Sequence, residues 1–506
     1  TTAAAADTAA STGAAASGTL RYRLIQDVAT LDPAFWTTNA DYYPMFCIYE
    51  GLVAFRPVGD KWQVVNVLAE TFESSDDGLR HTFTLKQGIP FHGGYGEVTA
   101  EDVKFSFERI AGLLKPDIKS YYSSDWPGLV GVNVTGTYSG EIVLKAPFAP
   151  LLVTTLPLTS GMILSRKAVE ERGKDYALHP IGTGPFQFAS LSPGEKIRLE
   201  RFADYGGAGS DVATVPGWDA IEGIVITEDQ TAVVALQNKE IDFAQVPSTS
   251  VADLGGDSAF ATSQAQTVDW GFLAINQQHP KLKDIKVREA VRAAVDVPAV
   301  LEGAYAGMTT ASHAPIAPSM PLGYWPDAPV RERDLASAKA AVAALSDDAR
   351  KLVLTTSDLP ESKLAVQIIK KNLEEAGFAI TLKVLDTNAW NDQIHNVKTS
   401  QLLYVGDYTG SGPDPSQTMV WYTCGQVGQW NVPQYCSKDF DALYDQALAE
   451  VDPAKRSALY VQMQQVLDDS ATNVWTHFPV VYYGYRADLK PAFLPDGKFY
   501  PWAFSA

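Results

Sequence analysis

Asp407 stands in the stretch YVGDYTGSGPDP, Tyr404 to Pro415, where one carboxylate lies between aromatic rings and a run of glycines and prolines. So many breakers rule out a plain helix or core strand over the whole segment. Composition alone favours an aspartate that orders a Gly/Pro turn through local hydrogen bonds. The other reactive residues are sparse. The histidines, His81, His92, His179, His279, His313, His395 and His477, are scattered, and none pairs with another at metal-ligand spacing. The string holds no Gly-x-Ser-x-Gly, Ser-x-x-Lys, His-Glu-x-x-His, Walker A loop or Gly-x-Gly-x-x-Gly. Nothing argues for catalysis, so no enzyme activity and no cofactor are expected.

Of three cysteines, Cys424 and Cys436 are separated by a stretch containing Gly425, Gly428 and Pro433, which lets a loop close and bring the sulfurs together. Zinc is the rival, but two thiolates with no histidine near in sequence make a poor site. A disulfide is favoured, and with it an oxidising compartment outside the cytoplasm. Cys47, in the apolar run MFCIYEGL, reads as a small buried hydrophobe.

These residues need a scaffold. The chain has 506 residues, 46% of them apolar, 11% aromatic and 20% charged, so a folded protein of two or more domains is expected. The formal net charge of -19 repels phosphate backbones and argues against nucleic acid as a partner. The uncharged run Ala146 to Leu164 is long enough to span a bilayer, but Pro147, Pro150 and Pro157 would break the helix. Residues 1–18, rich in Ala, Thr and Ser, read as a flexible tether with no charged n-region or apolar h-region.

In RHTFTLK, His81, Phe83 and Leu85 share one face, the period of a half-buried strand. Thr99 caps a predicted helix with Glu101 and Asp102 in its first turn and Val103, Phe105, Phe107 and Ile110 as its apolar surface. KLVLTTS reads as a strand. A helix follows, buried through Ala365, Ile368, Ile369, Leu373 and Ala376 and stopped by Gly377, and then the strand AITLKVL. That order predicts a parallel pair with a right-handed crossover, so the region from about 270 to 480 is expected to be α/β. Ser437 and Asp452 cap two later helices.

Several phrases together resemble one family. They are ATLDPAFWTTNADYYPMFCIYEGLVAF, LAETFESSDDGLRHTFTLKQGIPFHGGYGEVTAEDVKFSFERI, PIGTGPFQFASLSPGEKIRLERFADY and FLAINQQHPKLKDIKVREAVRAAVDVPAVLEGAYAG. In this order and spacing they are similar to the family 5 extracytoplasmic solute-binding proteins, the peptide-, nickel- and opine-binding subunits of ABC importers. The resemblance runs from about residue 20 to the end. It implies a two-lobed periplasmic-binding-protein-like α/β fold of the class II, cluster C type, with three domains and ligand enclosed between lobes. The first lobe would comprise 19–268 with 481–506, its smaller subdomain inserted at about 45–180, and the second 269–480. It also implies a small-molecule solute and ABC permease subunits as partners, a monomer, and a periplasmic location or a tether to the outer face of the cytoplasmic membrane.

The resemblance further implies that Asp407 pairs with the free amine of a ligand, a charge-assisted contact strong in a dry cleft. Tyr404 and Trp390 match aromatic positions around that cleft. Trp36 and Asn39, in the LDPAFWTTNAD loop, and Trp270, at the expected hinge, are further candidates. Some peptide-binding members carry an arginine shortly before the aspartate to grip a carboxylate; here Lys398 and Gln401 stand nearby instead. An oligopeptide or an amine-bearing conjugate such as an opine is therefore expected, with an oligosaccharide, a non-transport receptor role and, last, a hydrolytic enzyme as alternatives. His313 and His395 are polar candidates for the cleft; no metal is expected there.

Overall fold

Alternation in the strand Arg80–Leu85 buries His81, Phe83 and Leu85 while Thr82 faces solvent. In this computed structural model, which describes residues 18–505 apart from 59–60, 206–216, 387–388, 391–392, 394–398, 409–411 and 495, that strand is central in a four-stranded antiparallel sheet. Its neighbours are Ala69–Ser74 and Ser139–Leu144, with Leu129–Gly136 beyond the latter. The tether expected over residues 1–18 lies, but for Gly18, outside the described residues. The proline-rich run 146–164 forms the short 3-10 turns Ala149–Leu152 and Thr159–Gly161, and among the described residues no helix is long and apolar enough to cross a membrane.

The helix Ala100–Ile110 starts with a reciprocal capping box between Thr99 and Asp102 and buries Val103, Phe107 and Ile110. Phe105 departs from the expected apolar face. It lies a half-turn away from that stripe and is half-buried beneath the Arg166 guanidinium.

Two larger sheets dominate. The first has seven strands in the order Phe260–Gln266, Val480–Arg486, Phe243–Val246, Thr19–Leu24, Ala220–Val225, Lys196–Arg201, Phe186–Ser192. The second has six: Thr310–Ala311, Asn473–Phe478, Trp270–Ile275, Leu402–Tyr408, Lys351–Ser357, Ala379–Leu385. The last two are parallel and joined through the helix Pro360–Ala376. That helix buries Ala365, Ile369, Leu373 and Ala376, leaves Ile368 half-buried, and ends at Gly377, whose φ of 104° suits glycine.

The chain passes between the two sheets twice. It leaves the first at Gln266 and enters the second at Trp270, then leaves the second at Phe478 and returns at Val480. The crossings touch: the Thr267 backbone N–H and hydroxyl both donate to the Pro479 carbonyl at 3.2 Å. Two short connections side by side, each between rigid sheets, are the geometry of a hinge.

Candidate functional site

The crevice at this hinge is built on the strand Leu402–Tyr408. Trp270 and Tyr408 face each other across the strand pair, rings perpendicular at 5.3 Å, and the Trp270 indole N–H donates to the Tyr422 hydroxyl at 2.8 Å. Trp270 is fully buried. The structure thus corrects the expectation that it borders the cleft: its ring anchors the strand in the core. Next to this pair the register slips, so that Gly406 and Asp407 together oppose Gly271. A bulge of this kind redirects side chains, and Asp407 opens into the crevice.

The crevice has a volume of about 560 Å³ and is lined from the first sheet by Gln245 to Thr249 and Val480 to Tyr482, and from the second by Gly406, Asp407 and His477. The N-terminal turn of the helix Pro360–Ala376 and the end of the helix Val297–Tyr305 close its other side. Its charged lining side chains are Glu302, Glu361 and Asp407; among the described residues no lysine or arginine lines it. Asp407 is accessible to solvent in the crevice but ringed by protein, and the loss of bulk water pushes its carboxyl up to about 6. Among the described residues it has no hydrogen-bond or ion-pair partner.

Neutral polar groups also stand beside it. The Tyr305 and Tyr404 hydroxyls are 2.9 Å apart, and the Tyr305 ring packs on His477 at 4.3 Å. Burial pushes the His477 imidazole down to about 4, so it carries no charge at neutral pH. Gly406 is needed here, because a Cβ would come within 2.9 Å of the Ser362 hydroxyl and 3.0 Å of the Tyr305 hydroxyl. Tyr404 itself is fully buried. It sits beneath the crevice wall and positions Tyr305, which lines it.

Asp269, in the first crossing, is half-buried beside Asp407; burial first, then the charge of Asp407, drives its carboxyl well above the usual range. The tail after the strand Val480–Arg486 brings Lys498, paired with Asp496 at 3.0 Å and 5.6 Å from the Tyr42 ring. Burial works against the Lys498 charge, but Asp496 and Asp269 hold its pKa above the ordinary value.

The remaining candidates spread out from this point. Trp36 stacks on Tyr122 at 5.1 Å, packs on Tyr42 at 5.2 Å and donates its indole N–H to the Thr159 hydroxyl at 3.0 Å. Through Tyr42 it adjoins Lys498. Asn39 is exposed at the first position of the helix Asn39–Ile48. Trp390 is half-buried against the aromatic core that includes Trp270, Phe272 and Trp475. Gln401 is engaged elsewhere, its Oε1 accepting from the Val353 backbone N–H at 2.8 Å. Lys398 and His395 lie outside the described residues. His313 lines a separate cavity of about 260 Å³ with Trp475.

Cys424 and Cys436 are disulfide-bonded, and Cys47 is buried with its thiol pushed up by burial. Among the described residues no three His, Cys, Asp or Glu side chains are grouped to hold a metal ion. Sequence reasoning missed Asp269, Tyr305, His477, Asp496 and Lys498. The signal available was slight: an aspartate directly before the hinge tryptophan and an Asp-Gly-Lys stretch, Asp496 to Lys498, in the tail.

The sequence model of the bacterial extracellular solute-binding proteins, family 5, matches residues 63–429. The Dipeptide-binding protein of Escherichia coli (strain K12) is 27% identical over 489 residues, 91% of this chain and 89% of that protein. Glutathione-binding protein GsiB of Salmonella typhi is 25% identical over 451 residues, covering 87% and 84%. The solved structure of MoaA from A. tumefaciens R10 in complex with mannopinic acid superposes with a TM-score of 0.75 at 26% identity, covering 96% of this chain and 98% of that one.

Proposed function

We propose, from the premise that the chain belongs to the family 5 bacterial extracellular solute-binding proteins, that it is the substrate-binding subunit of an ABC importer and takes an amine-bearing solute. The lobes are 19–268 with 481–506, and 269–480. They rotate about the paired crossings, and the closed, ligand-bound form is what the permease meets. It works as a monomer outside the cytoplasm, in a periplasm or tethered to the outer face of the membrane.

One observation carries the choice of solute: among the described residues, Asp407 points unpaired into a crevice whose other charged lining groups are also carboxylates. A carboxylate away from bulk water gains most from a charge-assisted hydrogen bond to a cation. Relatives named for dipeptide and glutathione binding, and a structural relative holding mannopinic acid, support a solute of small-peptide or opine size. Tyr305, set by Tyr404, offers a hydroxyl at the same wall, while Trp36, Asn39 and Trp390 serve as outlying contacts reached on closure.

A thermal-shift screen of short peptides, opines and sugars tests this, because a ligand that binds only the folded form raises its melting temperature. Amine-bearing compounds should give the largest shifts, and Asp407→Asn should remove them. Equal shifts for the variant, or a response to neutral sugars alone, would rule the reading out.

A further inference from the structure

Asp407 has a carboxylate neighbour from a different part of the chain. Trp270 and Tyr408 are register partners, so Asp269 and Asp407, each one residue before a member of that pair, are diagonal neighbours across the two strands. Such neighbours lie about 7–8 Å apart along the backbone, within reach of one shared cation. Asp269 belongs to the crossing between the lobes, and the first lobe is pressed against that crossing. Gly497, with φ of 81°, packs so closely that a Cβ would sit 3.3 Å from the Gln266 carbonyl oxygen. This seats Lys498 and Asp496 beside Asp269.

The charges facing Asp269 are therefore Asp407 from the strand Leu402–Tyr408 and Lys498 with Asp496 from the tail, and Thr267 in its own crossing hydrogen-bonds to it. Near Asp407 stand Tyr305, Glu361 and the neutral His477. Asp269 and Asp496 share one ammonium, Lys498, which Asp496 already holds, and among the described residues Asp407 has no cation at all. Burial raises both Asp407 and Asp269 above the ordinary carboxylate range, and the charge of Asp407 raises Asp269 further, so a cation placed between them favours their ionised forms. An ammonium, with three N–H donors, or a guanidinium, with a planar fork of five, can serve two carboxylates at once.

Resting on the reading that Asp407 anchors an amine, we propose that Asp269 is the second arm of the clamp: the pair holds the solute's cationic group at the lobe crossing, and the crevice, with no lysine or arginine among its described lining residues, selects solutes with no free carboxylate. A cation that binds there favours the ionised carboxylates and so releases protons, and because Asp269 sits in the crossing, the solute's charge acts at the place where the lobes close. Leu359, Leu364 and Met308 supply apolar surface in the same crevice for the rest of the molecule.

Titration calorimetry with leucyl-leucine amide, leucyl-leucine and N-acetyl-leucyl-leucine amide tests this at about pH 6, in two buffers of different ionisation enthalpy, so that protons released on binding are counted. Wild type should bind the amide best, release a proton, and bind the acetylated form about a hundredfold more weakly or worse. Asp269→Asn should weaken amide binding about tenfold and abolish most of the proton release. Asp269→Glu should restore both, which a merely structural role would not require. Unchanged affinity and proton count in Asp269→Asn overturn the clamp while leaving Asp407 as anchor; so does a Glu variant no better than Asn. Preference for the free dipeptide over its amide overturns the solute class. Wild type that binds none of the probes overturns the amine reading and this inference with it.

Discussion

Asp407 and Asp414 share one short loop-rich segment and have opposite circumstances. Asp414 is 1% exposed, receives both ends of the Arg456 guanidinium at 2.6 and 2.8 Å and caps the Ser416 backbone N–H at 2.9 Å. Arg456 in turn donates to the Tyr460 hydroxyl at 2.9 Å. Each of its carboxylate oxygens has a donor. Asp407 opens on a crevice with no partner among the described residues. A buried carboxylate that is fully paired belongs to the structure; one left unpaired beside a space is available to something that is not part of the protein. The turn-ordering role that composition favours is real, but Asp414 fills it.

The contrast is sharpened most strongly by Asp414→Ala. It strands a buried guanidinium, and such broken pairs cost about 3–5 kcal/mol, read as a lowered urea midpoint with solute affinity intact in whatever remains folded. Asp407→Asn should do the reverse, leaving the empty protein at least as stable while removing about 2–3 kcal/mol of binding free energy for an amine, measured by calorimetry. If Asp407→Asn unfolds the protein as readily as Asp414→Ala, the two carboxylates are alike and the distinction fails.

Next in size is Gly406→Ala. The added methyl collides with the Ser362 and Tyr305 hydroxyls, and overpacking of this kind costs about 1–3 kcal/mol. Urea unfolding should show that loss, accompanied by weaker binding because Tyr305 is displaced from the crevice wall.

The smallest effect is a pH dependence. The folded-state pKa of Asp407, about 6, lies above the ordinary carboxylate value, so the native protein holds a proton that the unfolded chain has lost between about pH 4 and pH 6. This group's contribution to stability is therefore favourable at the acid end and declines as pH rises through 6. His92 and His477, held down to about 4 by burial, act in the opposite direction. Subtracting the melting curve of Asp407→Asn from that of wild type cancels them. The difference should fall from pH 5 to pH 7 without solute; a flat difference would mean the carboxyl is an ordinary solvated one.

How much of this could be read in the sequence depended on the range over which each feature is encoded. The strand Arg80–Leu85 and the unit of helix Pro360–Ala376 between parallel strands were legible, because periodicity and caps are local. Asp407 was reached through a family phrase. Trp270 was placed at the hinge, yet a strand alternates its faces, so one residue separates the aromatic that enters the core from Asp269 beside the crevice. Lys498 and Asp496 reach the site only because the second crossing carries the tail back to the first, a long-range consequence of topology that no window of sequence contains.

The most direct measurement is a crystal structure of the complex with the amine that gives the largest thermal shift. The account predicts the solute between the lobes with its cationic nitrogen within about 3 Å of an Asp407 carboxylate oxygen, a charge-assisted contact. A solute whose cation lies elsewhere, with Asp407 meeting only water, would contradict it.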